Sequence, residues 1–252
     1  MGRLDIDAAW KSLQTEPSGE KFSERQVRDL PPLAQRYFRH AIAPGTPLAS
    51  SVILAMTGSI KPGPVPWMRF SAHQILSPPQ GFIWRVRARW GLLAISGEDY
   101  FVDGEGGTLM RLFGVIPMVT GSGPDVSRAA AGRLLAESVL VPPALLPGTG
   151  ASWHEGDGSR LRIDLTAGQE TTALTLALDD DGRVREVVIQ RWGNQTDGGE
   201  YAYVPFGVGV DEEATFGGYT IPSRLRAGWW YGTDRYAEFF RARIKDAVFG
   251  LT

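Results

Sequence analysis

The sequence predicts a mainly β chain of the α+β class. It reads as a single large curved antiparallel sheet or half-barrel, a clamshell wrapped around a central helix, with helices at its N-terminus. Three observations lead there. From Leu48 onward, short runs of Val, Ile, Leu, Phe and Trp recur between Gly-, Pro- and Asp-rich turns, which is the texture of a meander. One long apolar stretch, residues 128–147, has helical rather than alternating texture and sits inside that strand region. The first 45 residues carry helical periodicity and proline starts.

In chain order, residues 8–13 form a short amphipathic helical piece, and Ser23 with Gln26 has the spacing of a capping box. Pro31 and Pro32 restart the helix. From there Leu33, Tyr37, Phe38, Ala41 and Ile42 recur on one face until Pro44-Gly45 ends it. Turns are expected at 61–66, 77–81, 96–99 and 103–107, with strands between them. Beyond the central helix, Leu161, Ile163 and Leu165, then Leu174, Leu176 and Leu178, alternate strictly. Asp179 to Gly182 is a hairpin turn into a strand over 184–192. Further strands are expected at 200–208 and 219–231, and a last one within 234–248. About ten strands result, and they must curl to hide an apolar face. With no repeat, low-complexity tract or linker, one domain over 1–252 is expected, with 1–45 packed on the sheet and 125–147 inserted between strands.

Composition narrows the function classes. A formal net charge of −2 without a basic run argues against nucleic acid and anionic membrane as partners. The absence of cysteine excludes disulfides, thiolate nucleophiles and zinc–thiolate or iron–sulfur sites. No stretch has the roughly 18 apolar residues of a membrane helix, so no integral membrane segment is expected. The N-terminus lacks a signal-peptide core and, with Asp5 and Ile6 where a myristoylation signal needs Ser or Thr, predicts no lipid anchor. A cytoplasmic location is the resulting expectation.

The chemistry centres on residues 128–147, where Arg133 and Glu137 stand one helical turn apart among apolar neighbours. A carboxylate there needs a partner or a raised pKa. Either Arg133 neutralises it as a structural pair, or the two face a ligand cavity. Asp99, ahead of Tyr100-Phe101 in an expected strand, is the second acid whose carboxylate points inward. The acidic run at 95–107 lacks the ligand order of a calcium loop. His40, His73 and His154 never share metal-ligand spacing, so no metal is expected. No GxSxG elbow, Walker sequence or GxGxxG in strand-to-helix context occurs, and no cofactor is expected. Six tryptophans, Trp67, Trp84, Trp90, Trp192, Trp229 and Trp230, fall on expected strands and are assigned mostly to the core.

The pieces LPPLAQRYFRHAI (30–42), RFSAHQ (69–74), PQGFIWRVRA (79–88), DYFVDGEGGTLMRLFGVIPMV (99–119) and RLLAESVLVPPALLP (133–147), followed by Trp153, resemble in their order the uncharacterised family known as domain of unknown function 6544. The C-terminal third resembles it more loosely, through Arg191, Pro222 and Trp229. The resemblance implies a curved sheet closing on a helix, like the LolA and LppX folds that hold acyl chains, and it implies no settled activity. The chain departs from those carriers in having neither an export signal nor a lipobox cysteine. The leading expectation is therefore a cofactor-independent acid–base enzyme, a lyase, isomerase or dehydratase, acting on a hydrophobic or aromatic small molecule. Glu137 would transfer the proton, Asp99 would be the second acid, and Arg133 and Arg191 would stabilise charge. Gln74, Trp84, Tyr100, Trp229 and Tyr231 would contact the ligand. The alternative is a non-catalytic carrier of lipids or hydrophobic metabolites.

Overall fold

The computed structural model of the chain describes residues 4–250. Met1-Gly2, on which the expectation of no lipid anchor partly rests, lies outside the described residues. Helix α1 (Ile6–Leu13) is capped by Asp5, whose carboxylate accepts from the Asp7 and Ala8 amides. It buries Ala9 and Leu13 against the outer sheet face at Ile75, Ile83 and Val102. The Ser23–Gln26 pair starts a single 3-10 turn, Glu24–Val27, in which the Ser23 amide donates to Gln26 Oε1 at 2.9 Å. Helix α2 (Pro32–Ala41) follows, with Tyr37, Phe38 and Ala41 buried as their spacing requires.

Thirteen strands form one antiparallel sheet, rather than about ten. They are β1 (Val52–Ile60), β2 (Met68–Ser77), β3 (Gly81–Trp90), β4 (Leu93–Val102), β5 (Glu105–Leu112), β6 (Ile116–Ser122), β7 (Ser152–Glu155), β8 (Arg160–Ala167), β9 (Glu170–Leu178), β10 (Val184–Gly193), β11 (Ala202–Phe216), β12 (Tyr219–Trp229) and β13 (Ala237–Phe249). The order is β6-β5-β4-β3-β2-β1-β13-β12-β11-β10-β9-β8-β7. Two meanders thus meet at the β1–β13 pair in the middle. Their outer edges, β6 and β7, are consecutive in the chain, so whatever joins them has to cross the sheet from edge to edge. Helix α3 (Pro124–Glu137) and two 3-10 turns (Ser138–Leu140 and Pro142–Leu145) make that crossing over the concave face. α3 packs against β4 and β5 on one arm and β8, β9 and β10 on the other. The half-barrel closes on its helix for a topological reason, and α3 buries Leu134 and Leu135 in doing so.

Three expectations need correction. The central helix does not run to 147: the α-helix stops at Glu137, because Pro142 and Pro143 lack the N–H groups that a continued helix would need. Ser96 to Asp99 is not a turn but the interior of β4, and the chain reverses at Gly91-Leu92. Gly97 is there for close approach, since a Cβ would lie 2.0 Å from the Leu109 carbonyl oxygen and 2.8 Å from Met110 Sδ. Most of the six tryptophans are not core. Trp84 alone among them is buried, Trp90 is 50% exposed at its hairpin tip, and Trp230 leaves the strand at a positive φ of 57°.

Candidate functional site

Between α3 and the concave face lies a cavity of about 300 Å³, at the lower end of the volumes that hold small molecules. Its walls are apolar where the central strands supply them: Met56 and Ile60 from β1, Val208 and Val210 from β11, Leu225 from β12, and Phe239, Phe240 and Ile244 from β13. The polar groups gather beneath α3. Asp99 comes from β4, Gln74 from β2, Thr108 from β5, Arg191 from β10, and Arg133 and Glu137 from α3 itself.

These side chains form a chain of contacts. Arg133 donates through Nε to Glu137 Oε1 at 2.7 Å and through Nη1 to Asp99 Oδ2. Gln74 Nε2 donates to Glu137 Oε2 at 2.5 Å. The Arg133 guanidinium also lies over Phe82 and Trp84, with its carbon 4.5 and 5.3 Å from the ring centres, which suits a weakly hydrated planar cation. Burial raises the Asp99 pKa above the usual carboxylate range, opposed by the charge of Arg133 and then of Arg191. Trp84 adds an enclosed indole N–H that has no acceptor among the described residues.

Arg191 stands apart. Its Nε donates to the Ala129 carbonyl at 3.2 Å, and its guanidinium carbon lies 4.8 Å from the Phe206 ring centre and 5.0 Å from that of Trp229. Among the described residues no carboxylate comes within 4.0 Å of it, although Asp99 and Glu137 share its cavity. Burial, then the repulsion of Arg133, lower its pKa to about 10, which still leaves it charged at neutral pH. Gly132 makes its position possible. A glycine inside a helix costs about 0.5–1 kcal/mol relative to alanine, and here a Cβ would press on Arg191 Cγ at 3.2 Å.

The tertiary structure therefore gathers Glu137, Asp99, Arg133, Arg191, Gln74, Trp84 and Trp229 around one cavity. It places the other two expected ligand contacts elsewhere. Tyr100 follows Asp99 and so faces the opposite side of β4, packed beside α1, because successive strand residues alternate. Tyr231 lies past the end of β12, over Gly207, and donates from its hydroxyl to Glu186 Oε1 at 3.0 Å. Sequence reasoning missed Phe239 and Phe240 as cavity walls. Two consecutive residues cannot share a strand face in a regular ladder, but the register shifts between Ala227 and Gly228 where β12 pairs with β13, and both rings reach the cavity. It also missed Gly132, whose only signal was a glycine in a helix-forming run.

A second polar cluster fastens the first turns of α3 to the far arm. Arg128 Nε donates to Glu170 Oε2 at 2.7 Å, the Tyr203 hydroxyl donates to Glu170 Oε1 at 2.7 Å, and the Arg128 guanidinium carbon sits 4.1 Å from the Trp192 ring centre. Among the described residues no group of three or more His, Cys, Asp or Glu is placed to hold a metal ion, and no helix is long and apolar enough to cross a membrane.

The family model described as "Family of unknown function (DUF6544)" matches residues 20–242. No curated protein matches the chain. Among solved structures it is similar to a LolA superfamily protein from Nitrosomonas europaea, at 8% identity and a TM-score of 0.45, covering 87% of this chain and 93% of that one. It is also similar to a putative outer membrane lipoprotein-sorting protein domain from Vibrio parahaemolyticus, at 10% identity and a TM-score of 0.41, covering 81% of this chain and 87% of that one.

Proposed function

The chain belongs to the Family of unknown function (DUF6544), and we propose that it is a binding protein that holds a hydrophobic small molecule between α3 and the sheet. One observation carries the reading. The cavity is walled by apolar side chains drawn from seven strands, while its acids are already tied to groups of the protein itself. Apolar surface facing a cavity of that size is stabilised by an apolar occupant, at roughly 25 cal/mol for each Å² withdrawn from water.

The acid–base enzyme gives way to its alternative on the same geometry. A general base must reach the proton it abstracts, whereas Glu137 is held by Arg133 and Gln74, and Asp99 by Arg133. A carrier needs those carboxylates only as struts that fix the floor of the cavity. Whether the occupant is aliphatic or aromatic is a matter of its shape against Phe206, Trp229, Phe239 and Phe240.

The test is uptake of a neutral apolar dye, followed by its emission, in the wild type and in Ala242→Phe, which fills the cavity from β13. The wild type is expected to take up the dye and the filled variant to lose at least about tenfold in affinity, about 1.4 kcal/mol. Equal uptake by both proteins, or none by the wild type, overturns the reading. Native mass spectrometry of the purified protein identifies any occupant carried through purification.

A further inference from the structure

We infer that Arg191 is the head-group anchor of the cavity and that the ligand is an amphiphile with an apolar body and a carboxylate end. The inference rests on the binding reading above and adds the chemical class of what is bound.

Of the two guanidinium groups in the cavity, Arg133 already has its charge paired: it bridges Glu137 through Nε and Asp99 through Nη1, and it lies over Phe82 and Trp84. Arg191 spends its Nε on a backbone carbonyl, and its two Nη groups have no acceptor among the described residues. Its neighbours are the faces of Phe206 and Trp229, which steady a cation without neutralising it. A charge withdrawn from water is costly unless it is paired and hydrogen-bonded, so this guanidinium is the one place in the cavity where a ligand anion gains most. The free fork of Arg191 matches the two oxygens of a carboxylate, which a single-point cation would not.

The geometry divides the cavity into a polar and an apolar part. Arg191, Asp99, Arg133 and Glu137 lie under α3, whereas the walls from β1, β11 and β13 offer only apolar side chains. A ligand with its carboxylate at Arg191 therefore lays its apolar body along Val208, Ile244 and Phe240. The acids do not displace it, because each is held by Arg133 and neither comes within 4.0 Å of Arg191.

Calorimetric titration with matched pairs tests this: dodecanoate against dodecanol, and naphthoate against naphthol, in wild type, Arg191→Met and Arg191→Gln. A charge-assisted, two-point contact predicts that the wild type prefers at least one acid over its alcohol by about tenfold or more, and that either variant loses the preference while still binding the alcohol. Two variants are used so that a failure of one to fold leaves the other to decide. Binding of acid and alcohol alike by the wild type, or a preference that survives in a folded variant, overturns the role of Arg191 and leaves the binding reading standing. If neither the alcohols nor a neutral dye enters the wild type, the binding reading fails and this inference fails with it.

Discussion

Replacing Arg133 by methionine removes the guanidinium that joins α3 to β4 and leaves two carboxylates facing an apolar cavity. Arg133 is 15% exposed, and the side chains of Asp99 and Glu137 are 28% and 24% exposed. Breaking a fully buried pair costs about 3–5 kcal/mol, and the quarter of each acid still in contact with solvent brings the expected loss to about 2–3 kcal/mol at pH 7. At a urea dependence of about 2 kcal/mol per M, the unfolding midpoint falls by about 1–1.5 M. The pH dependence has a definite sign. Burial holds Asp99 above its unfolded value even with Arg133 beside it, and without that cation the shift grows. A carboxyl group with a raised folded pKa keeps its proton longer in the folded state. Its unfavourable contribution therefore appears as pH rises from about 4 and shrinks again on acidification. Urea unfolding at pH 7 and pH 5 should show the variant closer to wild type at pH 5. The triple variant Arg133→Met, Asp99→Asn, Glu137→Gln should recover most of the loss, because it removes the stranded charges along with the cation. If the triple variant is as unstable as the single one, the cost lies in lost stacking on Phe82 and Trp84, and the electrostatic reasoning is wrong.

Arg128→Met leaves Glu170, whose side chain is 3% exposed, with Tyr203 as its only hydrogen-bond partner from the cluster; because Arg128 itself is 42% exposed, the loss of stability in urea unfolding should be about 1–3 kcal/mol, below that of a fully buried pair. Gly106→Val puts a side chain 2.7 Å from Ser127 Cα and 2.8 Å from Ala130 Cβ, pushing α3 off β5. About 1–3 kcal/mol should be lost, with faster amide exchange in α3. Leu134→Ala empties a fully buried position under the same helix and should cost about 2–5 kcal/mol, read from the thermal or urea midpoint.

How much of this was legible in the sequence follows from how far each signal reaches along the chain. Local periodicity reported local structure: the alternation of Leu161, Ile163 and Leu165 became β8, and the apolar face of Leu33 to Ile42 became α2. The i and i+4 spacing placed Arg133 against Glu137. The turn expected at Ser96 to Asp99 failed because a glycine in a strand and a glycine in a turn look alike in sequence. Only the partner strand, with Met110 lying across Gly97, tells them apart. Tyr100 failed by one residue of alternation, and Phe239 and Phe240 by a bulge that no strict period of two contains.

By itself the sequence determined the class of the fold, the helix inserted in it and the two residues at its charged centre, because propensity, pattern and i,i+4 geometry act within a few residues. What only the tertiary structure decided was the closure of the sheet, with β1 against β13 and with edges that oblige α3 to cross the concave face. It also decided the meeting of Asp99, Gln74 and Arg191 with that helix from three separate strands. Which charge was left unpaired, Arg191 rather than Glu137, belongs to the same level. Pairing is set by distances of a few ångströms between groups far apart in sequence, 34 positions for Asp99 and Arg133 and 63 for Gln74 and Glu137, and no spacing along the chain encodes them.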